Sequence, residues 1–197
     1  MKWLLLSLAA VLLVVYLLED RGHSTFPAGV LVPEEPAQSP LSGGPYWQKG
    51  KYRFSARADF SLRARILSAE RYWLDGAAAV SPIDFAVGWG PMSDQRTIDQ
   101  MGFGQTGRWW RYWPKGTQFP IPASEITSHS ANMHMIPADD NVLKALRNVR
   151  RGDLVSLTGY LVDVESSSGW KWPTSLSRTD TGNGACEIVW VRRLVIQ

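Results

Sequence analysis

The sequence has only one cysteine, Cys186, among its 197 residues. A single thiol cannot close an intramolecular disulfide, and it excludes a structural zinc site that needs two or more thiolates. Strong charge is also lacking: the net charge is +3, far from the dense cationic surface of general nucleic-acid binders. Apolar residues make up 45% and charged residues 20%, which excludes a disordered chain, a collagen-like repeat and a polytopic membrane protein. We therefore expect one folded domain of ordinary size with a small addition.

The N-terminus carries an uncharged apolar run from Trp3 to Leu18. As a helix this run is about 24 Å long, slightly under the hydrocarbon thickness of a bilayer, and it lacks the polar face of a soluble helix. No small-x-small cleavage site follows it, so we expect residues 1–20 to form an uncleaved signal anchor, with cleaved secretion as the alternative. Lys2 precedes the run and acidic residues follow it. The positive-inside tendency therefore places the C-terminal domain outside the cytoplasm, in the periplasm of a bacterium.

Residues 21–50 are rich in proline and glycine and have few apolar pairs that can nucleate packing. This composition predicts a flexible Pro/Gly-rich linker between the anchor and the domain. The remaining chain, residues 51–197, is long enough to bury a core without disulfides or metal. We therefore expect a single domain there.

Alternating apolar and polar residues mark a long first strand from Tyr52 to Ile66. In its register Phe60 and Leu62 face the core, whereas Arg65 faces solvent. Later segments rich in Val, Leu, Ile and aromatic residues predict further strands, and a Gly-rich loop lies between the second and third of them. In one later segment the apolar residues recur at the spacing of a helix instead of a strand. The predicted elements are strands over Val80–Trp89, Arg108–Trp113, Leu154–Val164 and Cys186–Ile196, and a helix over Asp139–Arg151.

The order of these elements resembles the OB-fold, a small five-stranded barrel with a long curved first strand and a helix between the third and fourth strands. The resemblance is one of topology and covers most of residues 51–197. We therefore expect a mainly β domain, an OB-like barrel with one short helix. The phrases SPIDFAVGWGPMSD, HSANMHMIP and SRTDTGNGACE also resemble those of a family of N-terminally anchored bacterial proteins without an established activity. That resemblance implies a location and no chemistry.

Two histidines, His129 and His134, suggest a metal site, but their spacing argues against one. Residues five apart point to opposite faces of a strand and lie about 140° apart around a helix, so neither geometry brings both rings to one ion. Haem attachment as in the anchored OB-type haem chaperone needs a tyrosine four residues after the histidine, where this sequence has Met133 and Ala138. We expect no metal and no cofactor. In an extended chain Asn132 and His134 share one face.

Cys186 is a candidate nucleophile, since a thiol with a histidine in reach can attack an acyl group. It also opens the predicted strand Cys186–Ile196, in which a small apolar residue at this position is typical of a packed barrel residue. The sequence favours the packed structural thiol. The nucleophile remains the alternative.

Polar loops on a rigid barrel are where binding sites usually lie. Three polar loops and the histidine segment contain nearly every reactive side chain of the domain. The aromatic cluster at Trp109–Trp113 can stack sugars, and the arginines of the first strand can meet anionic headgroups or a glycan; ordinary packing and a solvated face are the alternatives. The ligand-binding candidates are Asp84, Trp89, Asp94, Asn132, His134, Arg178 and Asp180.

These features predict a membrane-anchored periplasmic binding or scaffold module rather than an enzyme. The alternative is a cysteine-dependent hydrolase or transpeptidase that uses Cys186 with His134 or His129. The expected partners are the inner membrane, through residues 3–18, and an envelope glycan or another envelope protein, with no nucleic acid. The most informative observation is whether His134, Cys186 and the loop of residues 177–184 converge in one cleft of the folded domain.

Overall fold

A closed ring of five β-strands organises the fold, which is mainly β. The computed structural model describes residues 23–177, 182 and 184–197, so the anchor expected at residues 1–20 lies outside the described residues. Among the residues described, no helix is long and apolar enough to cross a bilayer. The strands are β1 (Ala37–Pro40), β2 (Tyr46–Lys49), β3 (Tyr52–Arg71), β4 (Ile83–Gly88), β5 (Met101–Thr106), β6 (Trp109–Pro114), β7 (Ser130–Pro137), β8 (Leu154–Ser166), β9 (Lys171–Trp172) and β10 (Glu187–Ile196), and the α-helices are α1 (Gln95–Asp99), α2 (Ala123–Ser128) and α3 (Asp140–Asn148).

The ring follows the order β3, β4, β7, β10, β8, and the pairing of β8 with β3 closes it. Neighbouring strands are antiparallel, except that β7 and β10 run parallel. A parallel pair needs a crossover connection, and the segment with α3 and β8 supplies it. The predicted helix is confirmed at α3, where the Asp139 carboxylate accepts a hydrogen bond from the backbone N–H of Val142. The shorter helices α1 and α2 are additional to it.

The first ring strand, β3, runs for 20 residues because its apolar residues keep a period of two. Phe60 and Leu62 are buried, which confirms the predicted register there. The pairing shifts after Ala56 and after Ile66. Such irregularities bend a strand, so β3 pairs with β8 along its first part and with β4 along its last part.

Arg65 is fully buried, which corrects the exposed position expected from the alternation. Its guanidinium donates to the backbone oxygen of Ser24 at 2.8 Å and to Oε1 of Gln95 at 2.6 Å. It also lies 4.3 Å from the centre of the Phe26 ring. Burial lowers the pKa of Arg65, and the Asp153 carboxylate opposes that shift. The alternation could not reveal this site because the covering residues come from distant parts of the chain.

Part of this cover comes from residues 21–50, which the composition predicts to be a flexible linker. The structure differs from that expectation: Val32 is fully buried in the main core, and β1 and β2 pair with β3. The backbone N–H groups of Leu31 and Val32 both donate to Oγ of the buried Ser93, at 3.1 and 3.0 Å. The Ser93 side chain thus satisfies backbone N–H groups that do not belong to a helix or strand. Residues 24–49 therefore pack on the ring.

The third ring strand is β7, and the segment expected in that place, Arg108–Trp113, instead forms β6 in a separate hairpin with β5. β5 itself occupies part of the expected Gly-rich loop. β7 carries Met133 and Met135 into the main core, whereas β6 is at most half-buried along its length. A strand of the ring must bury one face in the core, and β7 meets this requirement whereas β6 does not.

An apolar cluster outside the ring holds the β5–β6 hairpin in place. Gly102 lets the hairpin close, since a Cβ atom there would lie 2.2 Å from the indole nitrogen of Trp113. Phe103 and Trp110 stack with their ring centres 6.0 Å apart. The hairpin is thereby a fixed wall beside the ring. The buried cluster beneath it contains Leu67, Ala86, Met92, Ile98, Met101, Phe103 and Ile126.

Replacing Ser93 by alanine is expected to lower the free energy of unfolding by about 1–3 kcal/mol, because the N–H groups of Leu31 and Val32 lose their acceptor. Urea unfolding followed by circular dichroism measures the change. Ser39→Ala is the control, since Ser39 is exposed on β1, and its effect should stay within about 0.5 kcal/mol. Equal effects of the two substitutions would show that residues 24–32 do not pack on the ring.

Candidate functional site

Adjacent ring strands bring Asp84, His134 and Cys186 together. Asp84 in β4 lies opposite His134 in β7, and His134 lies opposite Ile188 in β10. Cys186 lies just before β10, and its side chain contacts His134. The methionines on either side of His134 point into the main core, so the His134 side chain points out of the ring. The three groups thus meet on the outer face of the ring.

His134 lies buried between the other two groups. Its Nδ1 atom is 2.9 Å from Oδ1 of Asp84, and both side chains are almost inaccessible to solvent. The Trp172 ring covers the imidazole at a centroid distance of 4.6 Å. Burial by itself lowers the pKa of His134, but contact with the Asp84 carboxylate and with Cys186 raises it to about 9. At neutral pH the imidazole is therefore held in its protonated form beside the sulfur atom.

Arg108 supplies a second partner for the buried Asp84 carboxylate. Its Nη1 donates to Oδ1 of Asp84 at 2.8 Å, while Nε and Nη2 donate to the two carboxylate oxygens of Asp75, each at 2.9 Å. The guanidinium also lies 4.0 Å from the centre of the Tyr72 ring. The backbone of Arg108 has a φ of 70°, in the left-handed region that non-glycine residues rarely adopt. These contacts hold the hairpin turn against Asp84 and give the buried charge two cationic neighbours.

A cleft lies beside Cys186. Cys186 is half-buried and lines a cleft of about 220 Å³ between the hairpin and β7. Ser177 and Gly182 line the same cleft. Its aromatic wall consists of Trp109, Trp110 and Tyr112, all from β6.

Asn132 places a carboxamide beside the thiol. Its Nδ2 lies 3.7 Å from Sγ of Cys186 and donates to the backbone oxygen of Arg108 at 3.1 Å. Its Oδ1 accepts a hydrogen bond from Nε2 of Gln105 at 2.7 Å. Both ends of the carboxamide are therefore fixed by the hairpin, and Nδ2 also contacts Sγ of Cys186.

The other candidates from the sequence lie elsewhere. Trp89 is buried in the main core, and Asp94 caps α1 by accepting a hydrogen bond from Arg96 N. His129 lies just before β7, where its ring contacts α2. Neither Trp89, Asp94 nor His129 is among the residues lining the cleft. Arg178 and Asp180 lie outside the described residues.

Sequence reasoning missed Arg108, Asp75 and Gln105 as parts of the site. Gly107 followed by Arg108 between two apolar segments is a hairpin-turn signal, and that signal could have located the turn. Nothing in the sequence pairs Arg108 with Asp84, because the two residues are 24 positions apart and meet only when the hairpin folds over the ring.

Comparisons with known proteins give no match: no family model, no curated protein and no solved structure matches this chain.

Within the described part of the chain, no group of three or more His, Cys, Asp and Glu side chains is placed to hold a metal ion. Cys186 and Asn132 line the cleft, and behind them the buried His134 imidazole contacts Cys186 and lies beside the Asp84 carboxylate.

Replacing Arg108 by alanine is expected to lower the free energy of unfolding by about 3–5 kcal/mol, because the buried Asp84 carboxylate loses a cationic partner. Backbone amides of the β5–β6 hairpin should also exchange faster with solvent. Arg111→Ala is the matched control, since Arg111 is exposed on the same hairpin, and it should change the unfolding free energy by less than about 1 kcal/mol. Urea unfolding and hydrogen exchange measure both effects. Similar losses in the two variants would contradict the role given to Arg108.

Proposed function

We propose that the protein is a cysteine-dependent hydrolase or transpeptidase, with Cys186 as the nucleophile, His134 as its acid–base partner and Asp84 as the group that orients His134. One observation carries the proposal: Cys186, half-buried at a cleft, contacts a histidine whose Nδ1 faces a buried carboxylate. A thiol nucleophile needs such a base in reach, and the base needs a third group to orient it. The contact between Cys186 at the cleft and the buried His134 thus supports the alternative that the sequence left open.

In the proposed reaction the proton of the Cys186–His134 pair resides on His134, and Sγ attacks the carbonyl carbon of an amide or ester. The C–S bond forms as the carbonyl electron pair moves to oxygen. When that pair returns, the C–N or C–O bond breaks and the leaving group takes the proton from His134. Water, or an amine in transpeptidation, then attacks the thioester, passes its proton through His134 and releases the Cys186 thiol. The sequence of steps needs no oxidant or reductant.

The carboxamide of Asn132 is the proposed donor to the negative oxygen of the tetrahedral intermediate. Its Nδ2 lies beside Sγ of Cys186, and its hydrogen bonds to Gln105 and to the Arg108 backbone hold it in place before substrate binds. A fixed donor aimed at developing charge stabilises the transition state without reorganisation. In this proposal the aromatic wall binds the apolar or sugar faces of the substrate next to the acyl group.

A non-catalytic binding module is the second candidate, and the aromatic wall is the observation that favours it. Trp109 is 47% exposed and, with Trp110 and Tyr112, offers flat surfaces for stacking an envelope glycan or a peptide. In that case Cys186 is only a wall residue, and its reactivity is that of an ordinary thiol. The two candidates therefore differ in the chemistry of one sulfur atom.

We also propose that the domain is an OB-like barrel and that it lies in the periplasm. An OB-like barrel is supported by the ring order, the parallel pair β7–β10 and the position of α3 between β7 and β8 along the chain. The apolar run at residues 3–18 supports a single-pass anchor in the inner membrane, with the barrel in the periplasm. An anchored enzyme of this kind would act on acyl groups of the cell envelope.

The proposal predicts that Cys186 of the native protein reacts with iodoacetamide at neutral pH at least tenfold faster than the same thiol in denaturant, because His134 accepts its proton. Intact-mass spectrometry over time measures the rate. His134→Ala should slow the native reaction at least tenfold. His129→Ala is the matched control and should leave the rate unchanged, since His129 contacts α2 and does not line the cleft.

Slow labelling of the native protein that accelerates only on unfolding would overturn the enzyme proposal and favour the binding module. Equal rates in the wild-type protein and the His134→Ala variant would do the same. A melting curve of each variant shows that the comparison is made on folded protein.

A further inference from the structure

A second, wider groove of about 920 Å³ opens beside the end of β3. Three arginines line it, namely Arg71, Arg150 and Arg151, and Glu70 is the one carboxylate among its lining residues. Within the described part of the chain, no carboxylate forms an ion pair with any of these arginines. Burial raises the pKa of Glu70, and the nearby Asp84 charge adds to this shift. With three arginines against one carboxylate among its lining residues, the groove carries a net positive charge.

Large apolar side chains stand next to these arginines. Trp73 lines the groove and is 72% exposed, and the adjacent Leu74 is fully exposed, at 100%. Tryptophan is enriched at the headgroup level of membranes, and arginine is attracted to anionic headgroups there. This combination of cationic and apolar groups fits the interface of an anionic bilayer better than it fits bulk water.

The described chain begins at this groove. His23 is among the lining residues, and the N–H of Ser24 donates to the backbone oxygen of Arg151 at 3.3 Å. The Ser24 hydroxyl donates to Oδ1 of Asp153 at 2.5 Å. Gly152 has a φ of 89°, and a Cβ atom there would lie 2.1 Å from the Ser24 oxygen. The segment that leads to the N-terminus is thus fixed against the arginine-bearing turn.

This attachment limits how far the groove can lie from the membrane. The apolar run ends at Leu18, and the six Cα steps from Leu18 to Ser24 span at most roughly 22 Å when fully extended. The headgroup layer beyond the hydrocarbon takes up about 5–8 Å of that distance. A retained anchor would therefore keep the groove within a short distance of the lipid phosphates.

We infer that the groove of Arg71, Arg150 and Arg151, together with the Trp73–Leu74 loop, docks on anionic phospholipid headgroups of the membrane that holds the anchor. The inference rests on the predicted anchor and is independent of the chemistry proposed for Cys186. Docking at a second point would fix the orientation of the barrel on the bilayer, where a single tether would let it rotate.

A spin label on the loop tests the inference in the full chain. Trp73→Cys in a Cys186→Ser background carries the nitroxide, and the protein is reconstituted into vesicles of phosphatidylcholine alone or mixed equally with phosphatidylglycerol. Electron paramagnetic resonance measures collisions of the label with a water-soluble nickel complex. We expect phosphatidylglycerol to lower the collision rate severalfold. Arg71→Gln combined with Arg150→Gln should reduce the docked population roughly tenfold and restore access.

Controls separate docking from other effects. Arg53→Gln with Arg57→Gln removes two exposed arginines near the start of β3 and should leave the protection unchanged. A label at Tyr46→Cys, on β2 near that same end, should stay accessible in both vesicles.

Equal access at Trp73→Cys in both vesicles would overturn the inference, as would protection by inorganic phosphate in phosphatidylcholine vesicles, which would indicate a soluble-phosphate site. Extraction of the protein from the vesicles by alkaline carbonate would also overturn the inference, because it would show that the chain has no inserted anchor. The alkylation rate of wild-type Cys186 reports on the proposed activity separately from all these outcomes.

Discussion

The burial of one negative charge, that of Asp84, is the constraint on which the site depends. Asp84 is fully buried, and an isolated carboxylate in such a position is strongly unfavourable. Its cost is offset by Arg108 on the hairpin turn and by His134 on the next ring strand, at 2.8 and 2.9 Å. Because these partners belong to separate structural units, the same charge that orients His134 toward Cys186 also holds the hairpin against the ring.

This shared charge links the fold to the chemistry proposed for it. The hairpin supplies the aromatic wall, the Gln105 contact to Asn132 and the backbone oxygen that Asn132 also binds. The positive φ of Arg108 is a backbone strain that the Asp75 and Asp84 contacts offset. A site built in this way is fixed before any substrate arrives, which is what a nucleophile with a positioned base requires.

Much of the fold could be predicted from periodicity, and the site only in part. The alternation in β3 and the helical stripe of α3 are local patterns, and both predictions hold except where distant segments intervene, as at Arg65. The prediction placed the third ring strand at β6, which is wrong. The aromatic residues of β6 correctly indicate a strand, but they do not show which sheet that strand joins. Proline and glycine in residues 21–50 could not show that Val32 enters the core. Cys186 and His134 were recognisable as residue types, but their contact depends on a parallel pairing that no local pattern encodes.

Titration of His134 by nitrogen NMR, on full-length protein labelled at its three histidines, tests the central claim most directly. The His134→Gln variant assigns the resonance. The buried Asp84 carboxylate and the Cys186 contact predict a pKa near 9 for His134 in the wild-type protein and a clearly lower value in the Asp84→Asn variant. A wild-type His134 that titrates at or below its ordinary value of about 6.5 would contradict the account, because the imidazole would then not be held as a cation between Asp84 and Cys186.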